Sequence, residues 1–153
     1  MIDEKIISRL KQTFSFETQN DVDEFLELID QLDTATNPEY LPYLFEFLQD
    51  DCDIEGADET IRLAIEDAPA HYFVPSLLKN LTKLYNKAHN QCKYLFWGIL
   101  NDIEYFDNLK DNIHLADKET LLKLLDDIYK DKYSLPEHKE AIQELKKLLD
   151  DDK

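Results

Sequence analysis

The residues whose types and spacing most resemble a chemical site are Asp51, Asp53 and Glu55, placed at alternate positions and closed by Gly56. Alternating carboxylates followed by a glycine open the calcium loop of helix–loop–helix proteins, where the ion takes six to eight oxygens and the glycine permits a sharp turn. That loop also needs a bidentate glutamate at its twelfth position. Counted from Asp51, the twelfth residue is Arg62, a cation, so no calcium site of this kind is expected. His71, His89, His114 and His138 stand apart in the chain, and none forms the HxxxH or HExxH face that binds zinc. They are expected at the core edge or the surface. Cys52 and Cys92 make no CxxC pair, and neither has a local basic setting that would lower its thiol pKa. There is no GxSxG elbow, and two glycines, Gly56 and Gly98, cannot build a phosphate-cradling loop. Carboxylates are abundant, but acids on solvent faces of helices lack the apolar-walled cleft that a glycosidase pair requires. The chain is therefore expected to hold no catalytic residue, metal or cofactor.

Abundant acid has a different consequence. The 153 residues carry 34 acidic and 17 basic side chains, a formal net charge of -17. Nucleic acid and anionic membranes both demand a positive footprint, so neither is an expected partner. A basic protein is the partner that such a charge favours. No run approaches the roughly 20 apolar residues needed to cross a bilayer. Met1–Lys5 has no basic region leading into an apolar core, so no signal peptide is expected. With two unpaired cysteines, the expected location is the reducing cytoplasm.

The elements that must position these residues are helices. Glycine scarcity argues against a sandwich or barrel, which needs many tight turns, and no stretch alternates convincingly over a strand's length. Ile2, Ile6, Ile7, Leu10 and Phe14 mark one helix face, and Val22, Phe25, Leu26, Ile29 and Leu32 a second, with Asn20 as its expected cap. Asn37-Pro38 has the order of an N-cap and first helical position, and Pro42 falls near the first turn of the helix that follows. Further helices are expected at about 57–67, 73–86 and 90–101, and a short one runs through Ile103 and Leu109. Of these, 90–101 is expected to be central and buried. Trp97, with Tyr94 and Phe96, could form an interface anchor, but the flanking Leu95, Ile99 and Leu100 favour a place in the core. Asp117 is the expected cap of a helix through Leu121, Leu125 and Ile128. Ser134 and Glu137 have capping-box spacing before the last helix. The expectation is an all-α single domain over 1–153, with eight or nine helices and a frayed tail at 150–153.

A weak internal repeat extends this reading. Residues 40–48 align with 73–81, matching an aromatic, a proline (Pro42, Pro75) and three apolar positions. Helix pairs repeat because one pair cannot bury its apolar face alone. The order Asp58, Ile61, Arg62, Ala64 resembles the first helix of a HEAT-type repeat, which implies a HEAT-like α-solenoid of stacked antiparallel helix pairs.

Three stretches, Asn37–Pro42, Tyr85–Ala88 and Phe96–Asp102, together with the acidic balance, resemble the small all-helical immunity proteins of bacterial polymorphic toxin and contact-dependent growth inhibition systems. The resemblance implies a non-enzymatic protein that binds a cognate toxin domain, one to one and as a monomer, and blocks its active site or substrate groove. Many such toxins are basic nucleases, whose phosphate-receiving surface suits carboxylates. Charge density, not matched family positions, nominates the contact residues: Asp50, Asp51, Asp53, Glu55, Asp58 and Glu59 first, then Asp102, Glu104 and Asp107. The alternatives are a HEAT-like adaptor with an unrelated partner, a catalytic or small-molecule-binding helical protein with a deep polar pocket, and a DNA mimic with carboxylates in two phosphate-like rows.

Overall fold

The computed structural model describes residues 2–52, 54 and 56–151. Among these residues the elements are helical throughout, with no strand: α1 (Glu4–Thr13), α2 (Gln19–Gln31), α3 (Leu41–Phe47), α4 (Ala57–Glu66), α5 (Ala70–Lys79), α6 (Leu81–Lys87), α7 (His89–Leu100), α8 (Ile103–Asn112), α9 (Lys118–Lys130) and α10 (Pro136–Asp151). The all-α expectation holds, but ten α-helices replace eight or nine because the helix expected at 73–86 is two. The chain breaks at Asn80 (φ -104°, ψ 8°). The Asn80 side chain donates to the Ser76 carbonyl at 2.7 Å, an acceptor its own backbone N–H also uses at 3.2 Å. Side-chain competition of this kind favours helix ends over helix interiors. Pro42 lies in the first turn of α3, whereas Pro75 sits inside α5. The two prolines that align in sequence therefore occupy different helical positions. At the C-terminal end, Asp150 and Asp151 are helical, and Asp152 and Lys153 of the expected tail lie outside the described residues.

Two compact packing units divide the chain, residues 1–73 and 74–153. In the first, α2 packs against α1 and α4, and α4 against α3. Phe25 is fully buried. Its ring lies 5.7 Å from Phe14, 5.1 Å from Phe16 and 5.4 Å from Phe47, the last two edge-on. Edge-on and tilted contacts suit the aromatic quadrupole. Phe16 reaches this cluster from a left-handed backbone (φ 55°), a conformation that costs an L-residue about 1–2 kcal/mol. Two residues later, Thr18 caps α2. Its hydroxyl accepts the Asp21 N–H, and the Asp21 carboxylate accepts the Thr18 N–H. Asn20, the expected cap, lies two residues too deep, inside the helix. Asn37 makes no side-chain cap; it precedes a 3-10 turn over Pro38–Tyr40, and its amide donates back to Asp33. Tyr40 is buried, and its hydroxyl accepts the Asp3 N–H at 2.7 Å.

The second unit is a stack with a constant sequence offset. Thr82 meets Thr120 at 3.1 Å, His89 meets Asp127 at 3.4 Å and Lys93 meets Asp131 at 2.6 Å, each pair 38 residues apart. Trp97 meets Ser134 and Asn101 meets His138 at an offset of 37. A fixed offset requires α6 and α7 to run parallel to α9, one helical unit laid on the next. The antiparallel return is α10, where Gln143 and Lys146 reach back to Tyr129 and Asp126 of α9. Thus the stacking expected of a solenoid is present, carried by apolar faces and a row of polar cross-links rather than by the aligned prolines.

Candidate functional site

The first acidic set surrounds the loop that enters α4. Gly56 precedes α4 with φ 82°, the left-handed region that favours glycine. Its carbonyl accepts both the backbone N–H and the hydroxyl of Thr60, at 3.0 and 2.9 Å. Asp51 and Glu59 are exposed, while Asp50 and Asp58 are partly buried. Asp53 and Glu55 lie outside the described residues. Among the described residues, no group of three or more His, Cys, Asp or Glu is placed to hold a metal ion.

Asp58 differs in kind from its neighbours. Burial pushes its carboxyl above the ordinary value of 3.8, Asp50 adds repulsion, and the Gln49 N–H and Arg62 offset this only in part. Its Oδ1 is buried without a hydrogen-bond partner. Asp58 therefore ties the loop to α4 through Gln49 more than it presents charge to a partner. A raised carboxyl means that the folded state holds the proton more tightly than the unfolded state. The ionised side chain then costs stability above the folded pKa, and that cost fades as pH falls through it towards 3.8. Asp58→Asn keeps an acceptor for Gln49 and removes the charge. It is expected to raise the melting temperature at pH 7, with a gain in stability below about 1 kcal/mol because solvent screens a partly exposed group. The gain should shrink near pH 4 in matched thermal melts. A lower melting temperature at pH 7 would show that the Arg62 attraction outweighs burial.

The second acidic set belongs to α8. Asp102 is its N-cap, accepting the N–H groups of Glu104 and Tyr105 at 2.9 and 3.4 Å. Asp107 lies 3.4 Å from Lys110, whose ammonium also reaches Glu144 at 3.3 Å. Glu104 is exposed. Of the three, Asp102 has a structural task, Asp107 shares a lysine, and Glu104 offers its charge outward.

Beside this set lies an aromatic face that a run-based reading of the sequence assigns wrongly. Buried residues of α7 are Gln91, Cys92, Leu95, Phe96 and Ile99. Tyr94 and Trp97 fall on the adjacent flank, three residues apart. Trp97 is partly exposed and stacks on exposed Tyr94, with centroids 6.1 Å apart and planes at 24°. The expectation that Trp97 is core is corrected: Phe96 takes that place. Plotting 92, 95, 96 and 99 as one helical stripe would have separated them, since 94 and 97 lie off it. The Trp97 indole N–H donates to Ser134 at 3.2 Å, and Lys93 lies 5.3 Å from the ring centroid. Next to the α7–α8 turn, Ile103 is 80% exposed, and Tyr133 and Leu135 flank Ser134 at 72% and 55%.

Polar links hold this end of the unit. Ser134 donates to the Ile128 carbonyl, so it does not cap α10 as expected. His138 takes the role assigned to Glu137: its Nδ1 accepts the Leu135 N–H at 3.0 Å, and its Nε2 lies 2.6 Å from Asn101 Oδ1. The helix starts one residue later than the Ser134–Glu137 spacing requires, which moves its third position to His138. Asp117 caps α9 as expected, through Thr120. Further along the stack, Tyr85, Asp127 and His89 converge. The Tyr85 hydroxyl donates to Asp127 at 2.7 Å, and His89 lies 3.4 Å from the same oxygen. Burial, then the Asp127 bond, push the Tyr85 phenol up to about 12. It stays protonated and serves as a tie between α6 and α9, not as a base. Lys93 likewise holds the Asp131 carboxyl below its ordinary range.

A family model described as Immunity protein 30 matches residues 12–109, from α1 into α8. No curated protein and no solved structure gave a match.

Proposed function

This chain belongs to the Immunity protein 30 family, and from that premise we propose that it binds and neutralises a cognate, basic, nuclease-type toxin domain through an acidic surface. As an immunity protein it acts by binding and is not an enzyme. The observation that carries the finer reading is the charge: 34 acidic against 17 basic side chains, far beyond what solubility requires of a small domain. Charge of one sign raises the encounter rate with a partner of the other sign and rejects like-charged partners. Asp50, Asp51, Asp53, Glu55, Asp58 and Glu59 are the proposed steering loop, with Asp102, Glu104 and Asp107 as the second acidic patch. Asp51 on the loop and Glu59 in the first turn of α4 are exposed, and Asp58 faces inward, so the former carry the contact and the latter supports it. The complex is one to one and forms in the cytoplasm, where a nuclease toxin meets its substrate. Among the described residues no helix is long and apolar enough to cross a membrane.

The test needs a toxin C-terminal domain, sought first in the reading frames next to this gene. Co-expression with this chain should restore growth to cells that the toxin domain alone arrests. The purified pair should bind tightly at low salt and more weakly as salt rises. Continued growth arrest, with no complex on a sizing column, would remove the proposal. A stable complex indifferent to salt would retain neutralisation and remove the acidic mode of binding.

A further inference from the structure

Resting on that reading, we infer that the toxin domain docks on the aromatic flank of α7 and the start of α8, over Gly98. Gly98 lies inside α7 and is exposed, and a methyl group added there would meet nothing within 4 Å. Glycine in a helix interior is less stable than alanine. No neighbour in the fold requires its small size, so the bare backbone serves something that approaches from outside. One turn earlier on the same flank stands Tyr94, stacked on Trp97. Trp97 is itself pinned by Ser134. Rings held in place before binding lose little freedom on contact, which is why tyrosine and tryptophan dominate binding energy at interfaces.

A second observation is independent of the first. Among the described residues Ile103 is the most exposed of the large apolar side chains, and it opens α8 between Asp102 and Glu104. An apolar anchor bordered by carboxylates fits a partner surface with lysine or arginine around an apolar contact. Glu104 and Asp107 supply the charge at that border. The acidic loop before α4 and this face divide the work chemically: exposed charge speeds encounter, while packed apolar area slows dissociation.

The experiment compares wild type, Gly98→Ala, Tyr94→Ser and Ile103→Ser in thermal melts and in binding to the toxin domain that the wild-type chain neutralises. Gly98→Ala should raise the melting temperature by about 1–4 °C and weaken affinity at least fivefold, a split that a merely structural glycine does not produce. Tyr94→Ser and Ile103→Ser should weaken affinity about tenfold or more, mainly through faster dissociation. If wild type binds and all three variants stay within twofold of it, this face is not the docking surface, and neutralisation stands. If wild type neither binds nor protects, both fall together.

Discussion

Replacing Asp51 and Asp53 together with lysine is expected to slow association with the toxin domain by about 10- to 100-fold at low salt, with little change in dissociation. Asp51 is exposed, on the loop that enters α4. Exposed charge acts at long range on the encounter and contributes little once the surfaces meet, because water screens it. Salt separates this from a folding defect. The Debye length falls from about 10 Å at 0.1 M to about 3 Å at 1 M, so the rates of wild type and variant should converge as salt rises. Stopped-flow association across a salt series measures it directly. An unchanged rate with an unchanged salt slope would take the steering role away from this loop. The matched pair Glu104→Lys and Asp107→Lys probes the second patch. Asp102 is left out of that variant because it caps α8 through Glu104 and Tyr105, and loss of a cap costs about 0.5–2 kcal/mol by itself.

Phe25→Ala should cost about 3–5 kcal/mol. Phe25 is fully buried, and its ring contacts Phe14, Phe16 and Phe47. Truncation removes the transfer energy of the ring and leaves a cavity. Tilted and edge-on neighbours cannot collapse into that space without losing contacts of their own. A domain stabilised by about 5–15 kcal/mol loses a large share of that margin. Urea unfolding followed by circular dichroism should show a much lower midpoint with a similar slope. A loss below about 1 kcal/mol would mean that Phe14 and Phe16 repack freely and that the left-handed backbone at Phe16 does not fix the cluster.

Much of the fold was legible because helical burial is periodic. Apolar spacing marks the faces of α1, α2 and α9, whereas in α4 Leu63, an apolar residue beside Ile61, Ala64 and Ile65, is 57% exposed. Asp117 is legible as a cap because the residue type and the helix start agree. The misses share a cause. Asn20, Ser134 and Glu137 are good capping types, but a cap depends on which residue leaves the helical backbone, and one or two residues of register decide it. Thr18 and His138 won on register. The break at Asn80 arose from a side chain competing for the Ser76 carbonyl, a local choice that periodicity does not encode. The flanking Leu95, Ile99 and Leu100 point Trp97 to the core, but on the helical wheel it lies off the buried stripe of Cys92, Leu95, Phe96 and Ile99.

Sequence alone determined the class, the charge and the lack of a calcium-loop motif, since Arg62 stands where that motif has a bidentate acid. These follow from composition and spacing, which need no third dimension. Tertiary structure decided which acids are available. Asp58 turns inward to Gln49, Asp102 is consumed as a cap, and Asp51, Glu59 and Glu104 remain outside. It also decided that Tyr94 and Trp97 lie beside the core rather than in it, with Gly98 bare between them and the α8 acids. A carboxylate's identity fixes its charge, but only its neighbours fix whether that charge faces water, a backbone N–H or a partner.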